Sequence, residues 1–157
     1  MKKVFMLFVA LCLTGVVKAQ FSESSEVYIY QKVDDTDLML VQFNSGYCYT
    51  YMTTGNWQLK EALKKGETVF DFFMRWKRKK DTLFRKCDYD SSNSTTKRVS
   101  YAAYYDNPYV TDHYFHYSFS KDKESLIYWH EDWKNYYHRV DKSEFEPKSQ
   151  NKDFLYE

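Results

Sequence analysis

The chain has 157 residues, of which 20% are aromatic and 29% are charged, and its formal net charge at pH 7 is +1. Nucleic-acid-binding proteins usually carry a clear excess of positive charge, and this chain does not, so we expect no nucleic-acid partner. The length suits one domain with a substantial core.

Residues 1–19 have the layout of a cleavable secretory signal peptide. Two lysines lie near the start, a mostly apolar run of 14 residues follows from Val4 to Val17, and Ala19 offers a small residue for cleavage. A membrane-spanning helix needs about 20 residues, so this run is too short to be a transmembrane anchor. We therefore expect residues 20–157 to be exported to the periplasm, the cell surface or the extracellular medium.

Cleavage after Ala19 would change both the charge and the cysteine count. The mature part would carry 20 basic and 22 acidic residues, a net charge of −2, and its two cysteines would be Cys48 and Cys87. An oxidising compartment favours pairing of an even number of cysteines, so we predict a Cys48–Cys87 disulfide. Two buried free thiols are the alternative.

Aromatic residues that alternate with polar ones predict β-strands in the first part of the mature chain. Three strands are expected near residues 26–32, 38–43 and 47–53. The polar segments 34–37 and 44–46 separate them and are typical of tight turns.

One short helix interrupts this pattern near residues 57–65. Asn56 can cap its start, apolar residues repeat along one face, and Gly66 can end it. Residues 67–78 fit a helix face and a strand face equally well; we favour a strand, because a charged hairpin tip would then lead into a strand at 82–89.

The second half of the mature chain again has strand periodicity. After a polar turn at residues 90–96, strands are predicted at 98–105, 112–120, 126–131 and 135–140. The clearest hairpin joins 114–119 to 126–129. Ser143 and Glu146 resemble a capping box that opens a single helical turn before Pro147, and residues 148–157 form a loose polar tail.

About eight or nine short strands without βαβ alternation predict a mainly β fold, with α+β at the margin. We expect residues 20–147 to form a single antiparallel β-barrel or β-sandwich with the short helix near 57–65.

The segment from Gly55 to Leu59 resembles the Gly-x-Trp motif of lipocalins, through Gly55 and Trp57. Lipocalins are small secreted antiparallel barrels that hold apolar ligands in their mouths, so the resemblance implies a barrel. In that family the motif opens the first strand, whereas here three predicted strands precede it. No binding residues are carried over.

The surplus of aromatic residues is the main functional indication. Thirty aromatic residues remain in the 138 of the mature part, more than one small core can bury, and exposed aromatic patches mark binding sites. We predict a non-catalytic binding module, without a cofactor, for a glycan, a small apolar ligand or a protein. The candidate ligand-binding residues are Trp57, Tyr101, Tyr105, Trp129, Trp133 and Tyr137.

Two other patterns suggest other chemistry. Four histidines between His113 and His138 could serve a small hydrolase or a metal-dependent enzyme, but their spacing does not place three ligands together, so we assign no metal or catalytic residue. Arg75, Lys77 and Arg78 form a basic run that could bind an anion, or could simply keep a hairpin tip solvated. A structural role in the cell envelope is a further alternative.

Overall fold

The computed structural model describes residues 25–79, 81–97, 99–100 and 114–148. Among these residues the chain forms nine strands and two α-helices. The strands are β1 (Tyr28–Lys32), β2 (Leu38–Asn44), β3 (Tyr47–Met52), β4 (Phe84–Asp90), β5 (Thr95–Thr96), β6 (Val99–Ser100), β7 (Tyr114–Phe119), β8 (Ser125–His130) and β9 (Trp133–Val140). The helices are α1 (Trp57–Lys64) and α2 (Val69–Lys79), and a 3₁₀ turn spans Lys142–Glu144.

Eight of these strands close into an antiparallel barrel. The order is β5-β4-β3-β2-β1-β9-β8-β7, and β5 pairs with β7 to complete the ring, while β6 pairs with β7 beside it. Closure leaves no free edge within the ring, which removes the usual site of strand-to-strand aggregation. The prediction of a mainly β, antiparallel barrel with a short helix is confirmed, and the alternative of a sandwich is wrong.

The strand that closes the barrel lies where the sequence predicts only a turn. β5 has two residues, and its register places Thr95 opposite Ser118 of β7. The Thr96 hydroxyl also accepts a hydrogen bond of 2.8 Å from the backbone N–H of Tyr117. Two residues carry no detectable periodicity, so this pairing arises from the tertiary structure.

The segment 67–78 is mostly helical, and the preference for a strand is wrong. The Asp71 backbone N–H donates to Thr68 Oγ1 at 3.0 Å, and the Thr68 hydroxyl donates to the Asp71 carboxylate at 2.7 Å, which caps the start of α2. Phe72 and Phe73 are fully buried against the barrel. Basic residues occupy the last turn, where their positive charges are attracted to the negative end of the helix dipole. The expected charged hairpin tip is therefore the end of a helix.

The short helix near 57–65 is confirmed as α1, although its start differs from the expectation. Asn56 occupies the N-cap position, but its side chain makes no capping hydrogen bond. Gly66 ends the helix at φ +83°, and the N–H groups of Gly66 and Glu67 donate to carbonyls of the last turn. This pattern is a Schellman motif, which requires the left-handed backbone that glycine adopts readily.

The capping box near the C-terminus lies two residues earlier than the sequence indicates. Asp141 accepts a hydrogen bond from the Ser143 backbone N–H at 2.9 Å, and Glu144 accepts one from the Asp141 backbone N–H. The box predicted at Ser143 and Glu146 is therefore replaced by Asp141 and Glu144. The resulting turn is the 3₁₀ segment Lys142–Glu144.

Two separate apolar cores hold the molecule together. The first fills the barrel interior, where alternate residues such as Tyr30, Met39 and Tyr117 are buried. Eight strands enclose just enough space for side chains to fill, which is the state observed here. The second core lies outside the barrel, where both helices cover β9, β1, β2 and β3. It is built from Ile29, Leu38, Leu40, Tyr51, Leu59, Ala62, Phe72, Phe73, Val140 and Phe145.

A buried arginine crosses the barrel interior. Arg85 is only 2% exposed, and its Nη1 donates to the hydroxyls of Tyr117 and Tyr128 at 3.1 Å each. The Tyr117 hydroxyl also accepts from Thr50 Oγ1 at 3.2 Å. The guanidinium carbon lies 4.3 Å from the ring centre of Phe115, so cation–π attraction adds to the hydrogen bonds.

The two cysteines are neighbours but are not bonded. Cys48 and Cys87 lie directly opposite each other on β3 and β4, and both are buried free thiols in this structure. The predicted disulfide is absent, and the alternative of two buried thiols describes what is seen. The hydrogen bond between the two groups, together with burial, raises the pKa of Cys48 above its ordinary value.

Candidate functional site

The two helices form a groove with a volume of about 770 Å³ on the outside of the barrel. α1 supplies one wall, α2 supplies the other, and the connection through Gly66 closes one end. The lining residues are Trp57, Gln58, Glu61, Ala62, Lys65, Gly66, Glu67, Asp71, Phe72, Arg75 and Trp76. The groove therefore combines two indoles with planar polar side chains.

Trp57 is the most exposed large apolar side chain described, at 61%. Its position depends on Gly55, whose φ is +92° and which has no Cβ. A Cβ placed there would lie 3.3 Å from Trp57 Cδ1, closer than most such contacts. The glycine thus lets the edge of the indole pack against the backbone, while most of the ring remains accessible.

Trp76 forms the opposite wall and is held by aromatic packing. Its ring stacks on Tyr51 with centres 4.9 Å apart and planes 13° apart, and it meets Phe72 edge-on. Burial raises the pKa of Tyr51, so its phenol stays neutral across the physiological range. The indole therefore has a rigid support.

Charged residues along the groove are linked to one another. Arg75 Nη2 lies 2.9 Å from Glu67 Oε2 and so ties α2 to the inter-helix connection. Lys64 Nζ lies 2.9 Å from Glu61 Oε1, and this hydrogen bond lowers the pKa of the Glu61 carboxyl. The Glu61 carboxyl is therefore ionised at neutral pH.

Three polar atoms of the groove are shielded from water and have no hydrogen-bond partner among the described residues. They are Gln58 Oε1, Arg75 Nε and Trp76 Nε1. A buried polar group that lacks a partner costs about 1–3 kcal/mol. Three residues that line the groove thus carry one acceptor and two donors without partners among the described residues, and a ligand that displaces the covering side chains could supply those partners.

The structure does not bring the predicted ligand-binding residues onto one surface. Trp57 lies in the groove, whereas Trp129 lies on β8, where its ring is 3.5 Å from that of His116 and its Nε1 donates to Ser118. Trp133 is 44% exposed and stacks on His130.

Of the remaining three predicted ligand-binding residues, one is buried and two fall outside the described residues. Tyr137 is 3% exposed and forms part of the barrel interior, where its hydroxyl lies 4.0 Å from the Met52 sulfur. It is not accessible to a ligand on the surface. Tyr101 and Tyr105 fall outside the described residues.

The predicted anion-binding residues lie on α2 and make different contacts. Arg75 pairs with Glu67 in the groove, as described above. Lys77 Nζ lies 4.0 Å above the ring of Tyr49, and Arg78 is exposed. Anion binding by this run stays a prediction.

Two of the described histidines, His116 and His130, line one small hollow together with Glu131, whereas His138 lies outside it. His116 packs on Trp129, His130 stacks on Trp133, and His138 is exposed on β9. Within the described part of the chain, no three histidine, cysteine or acidic residues are grouped as metal ligands would be. His113 lies outside the described residues.

Two other hollows are present. One, of about 690 Å³, lies between β1, the start of α2 and the 3₁₀ turn, and no tryptophan lines it. The other, of about 380 Å³, lies beside Trp129 and His116. The groove between the helices contains Trp57, the most exposed tryptophan among the described residues.

Sequence reasoning identified Trp57 but missed Gln58 and Trp76 as its neighbours in a groove. The signal that could have found them is the Thr68-x-x-Asp71 cap, since a helical α2 faces α1 across a short glycine connection. In the sequence, Gln58 belongs to the predicted helix 57–65 and Trp76 to the ambiguous segment 67–78, and neither pattern indicates that the two residues share a groove.

No protein-family model matches this chain, and neither curated proteins nor solved structures gave a match. The barrel that the lipocalin resemblance implies is present, but Trp57 begins a helix and not the first strand, so the motif does not occupy its lipocalin position. None of the helices described here is long and apolar enough to span a bilayer.

Proposed function

We propose that this protein is an exported, non-catalytic binding module whose ligand site is the groove between α1 and α2. The observation that carries the proposal is the exposed indole of Trp57 in a groove also lined by Gln58 and Trp76, each with a buried polar atom that has no partner among the described residues. Binding sites characteristically combine apolar surface with a few placed polar groups. The helices and the barrel wall beneath them supply a rigid frame for both.

The barrel interior is a poor alternative site for a small apolar ligand. Arg85, Tyr117 and Phe115 are each at most 2% exposed and fill the centre of the ring. A ligand could enter only by displacing packed side chains and the hydrogen bonds of Arg85. The outer groove offers accessible surface without that disruption.

Export is the second part of the proposal, and it rests on the sequence of residues 1–19. A positive start, a short apolar run and Ala19 match the pattern that secretion machinery reads. Protein recovered from outside the cytoplasm should begin at Gln20 when its N-terminus is determined by mass spectrometry. Recovery of a chain that retains residues 1–19 would contradict export.

Binding can be tested without knowing the ligand in advance. Residues 20–157 would be applied to arrays of glycans, lipids and peptides, together with the variants Trp57→Ala and Trp133→Ala. Both variants remove an exposed tryptophan, so they are matched in chemistry and differ in position. We expect at least one ligand whose binding is lost in Trp57→Ala and kept in Trp133→Ala.

The opposite result would reject the groove as the site. A ligand that binds Trp57→Ala as tightly as the unchanged protein must lie elsewhere, and failure to bind any array component would remove support for a binding module. Circular dichroism of each variant establishes that the fold is retained, which we expect because neither side chain is buried in a core.

A further inference from the structure

We propose that the ligand of the groove is a neutral oligosaccharide, an inference that rests on the proposed binding function. Its basis is the juxtaposition of the exposed Trp57 ring with Gln58, Arg75 and Trp76, whose polar atoms Oε1, Nε and Nε1 have no partners among the described residues. Each feature matches a different part of a pyranose unit.

The accessible ring of Trp57 matches the apolar face of a sugar. A pyranose carries several C–H groups on one face, and these pack well against the electron-rich face of an indole. A Cβ at Gly55 would lie only 3.3 Å from Trp57 Cδ1, so the glycine leaves room for the orientation in which the ring is exposed.

The unpartnered polar atoms match hydroxyl groups. A hydroxyl both donates and accepts, so one sugar could serve the acceptor Gln58 Oε1 and the donors Arg75 Nε and Trp76 Nε1. A hydrocarbon chain would leave all three atoms without partners. The mixture of donors and acceptors therefore favours a polyhydroxylated ligand over a lipid tail.

The charges of the groove favour a neutral sugar over an anionic one. Three carboxylates and two cations line it, and Lys64 next to the lining pairs with one of the carboxylates, so the groove has no excess of positive charge. The charged residues of the lining are Glu61, Glu67, Asp71, Lys65 and Arg75. Because Arg75 is already paired with Glu67, Lys65 is the other lining cation that a sulfate or uronate group could meet.

A peptide ligand fits the site less well. Peptides commonly bind by extending a free sheet edge or by laying an apolar helix face into an apolar groove. The strands of the ring next to the groove are all paired on both sides. Apart from the two tryptophans, the apolar side chains of the groove are only Ala62 and Phe72.

Titration with defined sugars tests this inference. The probes are cellohexaose, xylohexaose, chitohexaose, mannohexaose and maltohexaose, followed by tryptophan fluorescence and by the indole N–H signals in NMR spectra of residues 20–157. We expect at least one hexasaccharide to bind and to shift the N–H signals of Trp57 and Trp76, but not that of Trp133. Trp57→Ala should weaken this binding at least tenfold, Gln58→Leu should weaken it severalfold, and Trp133→Ala should leave it unchanged.

Two failures are distinguishable. If no hexasaccharide binds but a peptide or lipid does, and Trp57→Ala abolishes that binding, the sugar inference is wrong while the proposed groove function stands. If neither sugars nor other array ligands depend on Trp57, both proposals fail. Tighter binding of a sulfated hexasaccharide than of its neutral form would also overturn the preference for a neutral ligand.

Discussion

Removal of the Tyr117 hydroxyl should destabilise the barrel more than the same change at other buried tyrosines. In the variant Tyr117→Phe the aromatic ring stays in place, so packing is conserved. The hydroxyl that is lost accepts hydrogen bonds from Arg85 Nη1 at 3.1 Å and from Thr50 Oγ1 at 3.2 Å. Both donors are buried and would lose an acceptor.

The expected magnitude follows from these two hydrogen bonds. A bond from a charged donor contributes about 1.5–3 kcal/mol and one from a neutral donor about 1 kcal/mol, so we expect the free energy of unfolding to fall by about 2–4 kcal/mol. Tyr128→Phe removes the acceptor of one Arg85 bond and should lower it by about 1.5–3 kcal/mol. Tyr137→Phe loses only a weak contact with a sulfur atom and should change it by less than about 1 kcal/mol.

Urea denaturation followed by circular dichroism measures all three free energies on the same scale. The order Tyr117, Tyr128, Tyr137 is the diagnostic result, because each variant loses one hydroxyl and only the partners differ. A Tyr137→Phe variant that loses as much stability as Tyr117→Phe would refute the argument from the Arg85 network. Equal and small losses at Tyr117 and Tyr128 would refute it as well.

Three further predictions concern other parts of the molecule. The thiols of Cys48 and Cys87 should react with Ellman's reagent at pH 8 only after unfolding, because burial and a raised pKa keep Cys48 protonated; rapid labelling of the native protein would contradict this. Burial raises the pKa of Tyr30 and of other core tyrosines above that of an exposed tyrosine. Their contribution to the free energy of unfolding is therefore fully present below about pH 10 and is lost as the pH rises further. Absorbance at 295 nm during an alkaline titration should show late, cooperative ionisation of these tyrosines. Gly66→Ala should lower the free energy of unfolding by about 1 kcal/mol, because φ is +83° and no steric contact adds to that strain; an unchanged melting curve would argue against the Schellman role.

Much of the fold was predictable because alternation is a local property. The hairpin of β7 and β8 shows a period of two that marks one buried face. The strands β1 to β3 instead carry apolar or aromatic residues on both faces, and short apolar runs of this kind also indicate strands. The helix α1 was predictable from its apolar spacing and Gly66. Such signals need no knowledge of distant partners.

The candidate site was predictable only in part. Trp57 stands out in the sequence because it belongs to an aromatic surplus, and the structure places it at 61% exposure. Tyr137 belongs to the same surplus yet is buried, since the register of β9 turns it into the barrel. Aromatic content does not reveal which side of a strand faces solvent when both faces carry aromatic residues.

The amino-acid sequence by itself determined the antiparallel β class, the positions of most of the longer strands and the position of α1, because each depends on residues close together in the chain. The tertiary structure decided the closure of the barrel by β5, the helical state of residues 69–79 and the pairing of Cys48 opposite Cys87. It also created the groove, since Trp57 and Trp76 become neighbours only when α1 and α2 pack on the same outer face. These features depend on contacts between segments that are distant in the chain, and the free energies of such contacts cannot be inferred from local sequence patterns.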